Sequence, residues 1–320
     1  MFGIRCSDIF VCLLIFLLLL TSQPAAASDS RGSECVAVSN DAERLQCYDS
    51  AFARSTKDDE IPAYEERLIA EDREQHEWFA ITPHKPTYIL PVTYNFNSNF
   101  DAYGEFGQLF SDAEAKFQLS LKTRLWPNMI GGSSLWFAYT QQSYWQIYAD
   151  SEASAPFRET NYQPEVFWSI PTEFELFGLR GRTANIALNH QSNGQSDPLS
   201  RSWNRLTGEL VFEGDRTLYS IKTWVRIDDP ENDNNPNIED YMGRVELGWV
   251  YKGGNHVFDA WFKNNLASDN RSSFEVNWAF PLAEHLRGYV QFFTGYGENM
   301  IDMENNNTRI GVGIALTDWL

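Results

Sequence analysis

The chain is poor in cysteine, poor in positive charge and nearly devoid of long apolar runs, and each shortage closes off a class of protein. Of the four cysteines, Cys6 and Cys12 lie in a segment that reads as a secretory leader. Arg5 starts it, Ile9 to Leu20 is an unbroken apolar run of 12 residues, and Pro24-Ala25-Ala26-Ala27 offers small residues for cleavage. A run of that length falls short of the roughly 20 residues a spanning helix needs. No other stretch comes near it, so a bundle of membrane helices is excluded. The mature chain is expected to begin near Ser28, which leaves Cys35 and Cys47 as an even pair in an oxidising compartment. A disulfide between them is expected; a metal site would need further ligands, and none stands nearby.

Lysine and arginine number 25 against 44 aspartates and glutamates, a formal net charge of −19. Residues 1–27 hold only Arg5 and Asp8, so the mature chain keeps that value. Such a chain repels polyanions, and no nucleic acid is expected among its partners. The mean hydropathy is −0.41. An exported, polar chain without spanning helices is either soluble or a β-barrel. What it does have in quantity is aromatic side chains, 15% of the total with 11 Trp and 14 Tyr, and amphipathic Trp and Tyr suit membrane interfaces.

Residues 28–84 read as a helical, charged extension. Ser39-Asn40-Asp41-Ala42-Glu43 resembles a capped helix start, and Tyr64 to Phe79 sets Glu and Arg at helical spacing with Leu68, Ile69 and Trp78 as its few apolar positions. A small periplasmic extension with a disulfide-pinned helix and a partly disordered leader both fit this composition. After His84-Lys85-Pro86 the period changes to two. Phe117, Leu119, Leu121, Thr123 and Leu125 share one parity, with Gln118, Lys122 and Arg124 on the other; Tyr241, Val245, Leu247, Trp249 and Tyr251 repeat the pattern, as do Phe274, Val276, Trp278, Phe280 and Leu282. About twelve such segments follow: 87–98, 115–126, 134–147, 162–170, 181–192, 202–213, 217–227, 241–252, 255–264, 272–282, 286–296 and 309–320. Segments of about ten residues with this dyad repeat are the mark of outer-membrane strands. The expected fold is therefore all-β: a transmembrane antiparallel barrel of about twelve strands over residues 85–320. A soluble β-sandwich alternates too, but its inward face does not call for so many Trp and Tyr near segment ends.

The stretch from Asn185 to Phe212 carries the candidate chemistry. Ala184, Ile186 and Leu188 share their parity with His190 and Ser192; Leu206, Leu210 and Phe212 share theirs with Asn204 and Ser202. Residues two apart share a face of a strand, so in a barrel His190, Ser192 and Asn204 all face lipid. With an even strand count and a periplasmic N-terminus, the fifth strand delivers His190 and Ser192 to the outer rim. The sixth then returns with Asn204, and 193–201 form the exposed turn. Long acidic or Asn-rich connections, Asp228 to Asp240 and Asn299 to Asn307, read as extracellular loops. A serine, a histidine and a carboxamide so placed can make a hydrolase: His190 deprotonates Ser192 for attack on an acyl carbonyl, and Asn204 orients the imidazole. Spacing alone does not separate this from ordinary interfacial His and Ser residues.

The run His190-Gln191-Ser192-Asn193-Gly194-Gln195-Ser196-Asp197-Pro198-Leu199-Ser200-Arg201-Ser202-Trp203-Asn204-Arg205 closely resembles the active-site motif of the outer-membrane phospholipase A family. Further similarity lies in Ala138-Tyr139-Thr140-Gln141, Pro156-Phe157-Arg158-Glu159-Thr160-Asn161-Tyr162, Tyr241-Met242-Gly243, Gly295-Tyr296-Gly297-Glu298 and Arg309-Ile310-Gly311-Val312-Gly313. The resemblance covers roughly 85–320 and leaves the extension outside. It implies a calcium-dependent phospholipase A, active as a homodimer in the bacterial outer membrane, that hydrolyses sn-1 and sn-2 acyl esters of glycerophospholipids and lysophospholipids. It also implies a Ser192 nucleophile, a His190 base, an Asn204 orienting residue and an oxyanion donor in the Gly194 N–H. For Ca²⁺ it implies the Ser200 hydroxyl, the Gln195 carbonyl and, from a second subunit, the Ser154 carbonyl. A second calcium site would keep Asp197, while its distal partner, a carboxylate in the family, is here Asn234. Tyr139 and Gln141 read by themselves as lipid-facing and lumen-facing alternation; the resemblance makes Gln141 a dimer contact. Oxygen ligands suit the hard Ca²⁺ ion. The rival readings are a diffusion porin and a catalytically silent structural barrel.

Overall fold

A computed structural model of the chain describes residues 35, 38, 40, 41, 43–45, 47, 62–74, 79–227, 233, 235–283 and 286–320. The leader at 1–27 and Asn234 lie outside the described residues. Strands follow where the alternation does: β1 (Ile81–Pro83), β2 (Thr87–Asn95), β3 (Ala113–Trp126), β4 (Ser134–Trp145), β5 (Phe157–Leu176), β6 (Leu179–Ser192), β7 (Ser202–Glu213), β8 (Thr217–Ile227), β9 (Val245–Gly253), β10 (His256–Asn264), β11 (Ser272–Ala283), β12 (Leu286–Gly295) and β13 (Asn307–Thr317). Each of β2 to β13 pairs antiparallel with its neighbour in sequence, and β13 returns to β2 through pairs such as Ile310↔Tyr94. That closes a twelve-stranded barrel and leaves none of its strands as an open edge. The short β1 adds to the β2 side of β3.

The barrel is inside out relative to a soluble protein. Leu188 is 60% exposed and Val312 53%, whereas Lys116 and Arg158 are 1% exposed. Large apolar side chains on the outside belong against lipid, and the buried charges survive because they are paired. Arg158 meets Glu114 at 2.8 Å, and Arg309 meets Glu114 at 2.9 Å and Glu298 at 2.7 Å. A sandwich would have buried its alternating apolar face; this chain presents it.

The two ends of the barrel differ. At one, tight turns at 177–178, 214–216 and 254–255 join the strands; at the other, 96–112, 146–156, 193–201, 235–244 and 296–306 belong to long connections. The long-loop end is sealed by Trp203, Trp224, Ile238, Met242, Met300 and Met303. Thus Met300 and Met303, in a connection that reads as an exposed loop, turn inward instead. Ile238 and Met242 belong to the short helix α2 (Ile238–Met242), so Tyr241 lies in a helix rather than opening the β9 strand. The short-turn end is crossed by helix α1 (Ala63–Glu74). Arg124 of β3 pairs with Asp72, Arg182 of β6 with Glu65 and Lys252 of β9 with Glu66. The helix is thereby tied to three separated parts of the wall. Its start matches the expected helix within one residue; residues 75–78, where the pattern continued, lie outside the described residues. Upstream, Cys35 and Cys47 form the expected disulfide, and the Asn40 side chain accepts from the Glu43 N–H at 3.4 Å.

Candidate active site

Strands β6 and β7 place the candidate residues by register. His190 lies directly opposite Asn204, and Ser192 opposite Ser202. Directly opposed side chains on one face stand close enough to interact, and His190 Nδ1 meets Asn204 Oδ1 at 2.8 Å. An amide oxygen only accepts, so Nδ1 is the donor in this bond and Nε2 is the ring nitrogen left to face Ser192. Among the described residues no hydrogen bond joins Ser192 to His190; contacts of this kind tighten when substrate is bound.

All three side chains project from the outer face at the long-loop end, as the parity implied. Next to them the wall carries an apolar groove lined by Phe137, Pro164, Val166, Leu188 and Ile227. Pro164 has no N–H, and the β5–β6 ladder skips from the Tyr162↔Ser192 pair to Glu165↔Asn189 around it. The interior face behind the pair is tied together. Glu165 accepts from Asn189 at 3.2 Å, Asn189 from Arg205 at 2.6 Å, and Gln191 from the Trp203 indole at 3.0 Å. These bonds alternate with His190, Ser192 and Asn204 along the same two strands and hold them in register.

The 193–201 turn continues β6 into β7. Gly194 has φ of +66°, and a Cβ added there would come within 3.0 Å of the Tyr162 ring, so the position requires glycine. Among the described residues the Gly194 N–H has no acceptor. Gln195 and Asp197 are exposed and Ser200 is half-buried. The turn therefore offers a carbonyl, a hydroxyl and a carboxylate, oxygen donors throughout, a set that fits a hard divalent cation. Among the described residues no three His, Cys, Asp or Glu side chains gather to hold a metal.

Ser154 sits in the β4–β5 connection at the same end, exposed and in the left-handed region with φ of +56°. Gln141 accepts from Tyr139 at 3.0 Å and donates to Ser143 at 3.2 Å. Tyr139 and Gln141 both lie on the outer face, because Ala138 and Thr140 between and beside them are the buried positions. Their reading as opposite faces is corrected by the same period of two that found the strands. Successive pairings Gln141↔Tyr162, Tyr162↔Ser192 and Ser192↔Ser202 set these residues in one row across the outside. Sequence reasoning missed Pro164, Glu165 and Arg205; the break that a proline makes in a strand was the available signal for the first.

The family model for Phospholipase A1 matches residues 64–316. The match takes in α1 as well as the barrel, a wider span than the motifs alone indicated. Phospholipase A1 of Escherichia coli (strain K12) is 37% identical over 262 residues, covering 81% of this chain and 89% of its own length. Among solved structures, outer membrane phospholipase A from Escherichia coli superposes with a TM-score of 0.72 at 37% identity, over 77% of this chain and 95% of that one. The Salmonella typhi outer membrane phospholipase dimer with bound calcium also gives 0.72 at 37% identity, over 78% and 96%.

Proposed function

This chain belongs to the phospholipase A1 family, and from that premise we propose that it is a calcium-dependent phospholipase A working through Ser192, His190 and Asn204 on the lipid-facing rim of an outer-membrane barrel. The observation that carries this reading is the His190–Asn204 hydrogen bond on the outward face, two residues from Ser192 and beside an apolar groove. A lipid ester lying in the leaflet reaches that face without leaving the membrane. The long connections support an orientation with this end at the cell surface and the N-terminus in the periplasm. In that arrangement residues 1–27 are the leader, 28–84 the periplasmic extension and 85–320 the catalytic barrel.

In the first step His190 Nε2 takes the Ser192 proton as Oγ attacks the acyl carbonyl. The carbonyl oxygen gains negative charge and turns toward the Gly194 N–H. Collapse breaks the ester bond, the imidazolium gives its proton to the departing glycerol oxygen, and water repeats the sequence on the acyl-Ser192 ester to release the fatty acid. Asn204, being neutral, holds the imidazole tautomer without stabilising its positive charge. Ser200 and the Gln195 carbonyl would hold calcium together with the partner subunit's Ser154, and Asp197 would serve a second site. When bound, that ion supplies positive charge near the developing oxyanion. Gln141, in the row of Ser192, would meet its counterpart across the dimer. Both sn-1 and sn-2 chains, and lysophospholipids, present the ester this chemistry needs.

The test is fatty-acid release from mixed micelles, with and without chelator, for the wild type and for Ser192→Ala. The wild type should require calcium, and Ser192→Ala should insert normally yet lose nearly all hydrolysis because only the attacking oxygen has gone. Near-normal release by Ser192→Ala would end the triad reading. The porin reading finds no support in a lumen spanned by paired charges, with an apolar cluster at one end and α1 tied to the wall at the other.

A further inference from the structure

The side chain of Asn193 points into the barrel, where it is 3% exposed, and all of its hydrogen-bonding capacity is used. Its Oδ1 accepts from the Gln195 N–H at 3.3 Å and the Arg201 N–H at 2.9 Å. Its Nδ2 donates to the Leu199 carbonyl at 2.8 Å and to Glu159 Oε2 at 3.3 Å. A carboxamide has two acceptor sites and two donor hydrogens, so one side chain ties the turn to itself at three points and to β5 at a fourth. Glu159 is 1% exposed; its other oxygen accepts from Asn161, whose own Oδ1 takes the Met300 N–H at 3.1 Å. The turn is therefore anchored to the wall and to the connection that seals the long-loop end.

Resting on the function proposed above, we propose that Asn193, seated on Glu159, is the positioning residue that presents the Gly194 N–H and the Gln195 and Ser200 oxygens to substrate and cation. Turning the Gln195 N–H inward fixes the peptide that follows Gly194. Holding Leu199 and Arg201 fixes the backbone on both sides of Ser200. Neither aspartate nor alanine fits this post. Aspartate accepts but cannot donate, and it would set a second carboxylate against Glu159; alanine leaves two N–H groups and a carbonyl without partners. Asn193 itself touches neither lipid nor ion.

The experiment measures Ca²⁺ binding by calorimetry on the full chain carrying Ser192→Ala, alone and combined with Asn193→Asp, Glu159→Gln or Ser200→Ala. Supporting atoms behind ligands are typically worth about ten- to a hundredfold in metal affinity. Asn193→Asp should therefore weaken calcium about tenfold or more, and Glu159→Gln should weaken it in the same direction by less. In the active background both should lower kcat at saturating calcium while leaving KM for lipid nearly unchanged, a split that loss of folded barrel would not produce. Heat-modifiable migration on gels verifies the barrel, and Glu159→Gln decides the matter if Asn193→Asp does not insert. Folded variants at both positions with wild-type calcium binding, where Ser200→Ala binds weakly, overturn the positioning role alone. Wild-type binding in Ser200→Ala as well, or no binding by the parent, overturns the calcium reading and this inference with it.

Discussion

At the scale of single residues, His190 and Asn204 meet because their strands are paired without a bulge at that point, and in the proposed triad this cross-strand bond stands where a buried acid would otherwise orient the imidazole. If its task is to keep Nδ1 protonated, Asn204→Ala should lower kcat by roughly a hundredfold, while Asn204→Asp, which still accepts from Nδ1, should retain most of the rate. Initial rates on monodisperse lipid in detergent measure both; equal losses in the two variants would show that Asn204 acts otherwise. The face shared by His190, Ser192 and Asn204 was legible because alternation is a property of neighbouring positions. The post held by Asn193 was not. Its partner Glu159 lies 34 positions away, and nothing local distinguishes an asparagine with four hydrogen bonds from one that merely favours a turn.

At the scale of elements, most strands were visible as dyad repeats, and the departures have local causes. The fourth barrel strand, β5, reads as 162–170 but extends over Phe157–Leu176, since Arg158 and Glu159 look like loop residues until a polar lumen is there to pair them. Residues 241–244 share the parity of β9 by coincidence; Ile238 and Met242 instead cap the lumen from a helix. The α1 plug was expected as a helix, but its docking depends on charges scattered through the barrel. Arg67 reaches the Trp319 carbonyl at 2.7 Å and Glu71 at 2.9 Å, and Lys122 reaches Glu71 at 2.9 Å. Burial would raise the Glu71 carboxyl, but Lys122 and Arg67 outweigh it and hold it below the ordinary glutamate value. A carboxyl depressed in the folded state adds stability that is complete above its unfolded value and disappears as pH falls through its folded one. Acidification into that range should thus release α1 before the barrel opens, and Glu71→Gln should loosen it already at neutral pH. Protease cleavage between residues 63 and 84, followed against pH, reads this directly. Protection unchanged in Glu71→Gln would show that Tyr64 and the remaining ion pairs suffice.

At the scale of the whole molecule, the groups proposed for the cation stand on two separate connections. Ser200 and Gln195 stand on the turn after β6, while Ser154 stands exposed on the connection before β5, and the row from Gln141 to Ser202 faces outward into the space a second barrel would fill. If the partner subunit's Ser154 completes the site, the ion binds well only to the dimer, and linkage requires calcium to favour the dimer by the same factor by which dimerisation favours calcium. A site at such a seam also gains its hold on substrate from apolar contact with two walls, so longer acyl chains should strengthen the effect. Activity should rise with protein concentration in detergent at fixed calcium, and Ser200→Asn should need more calcium for half-maximal rate. The decisive measurement is sedimentation of protein blocked at Ser192 with a sulfonyl reagent, with and without Ca²⁺. Calcium should raise the dimer fraction, and chelation should reverse it. A dimer fraction indifferent to calcium, in a protein whose hydrolysis still requires the ion, would mean that the cation serves the oxyanion within one subunit and that Ser154 plays no part in holding it.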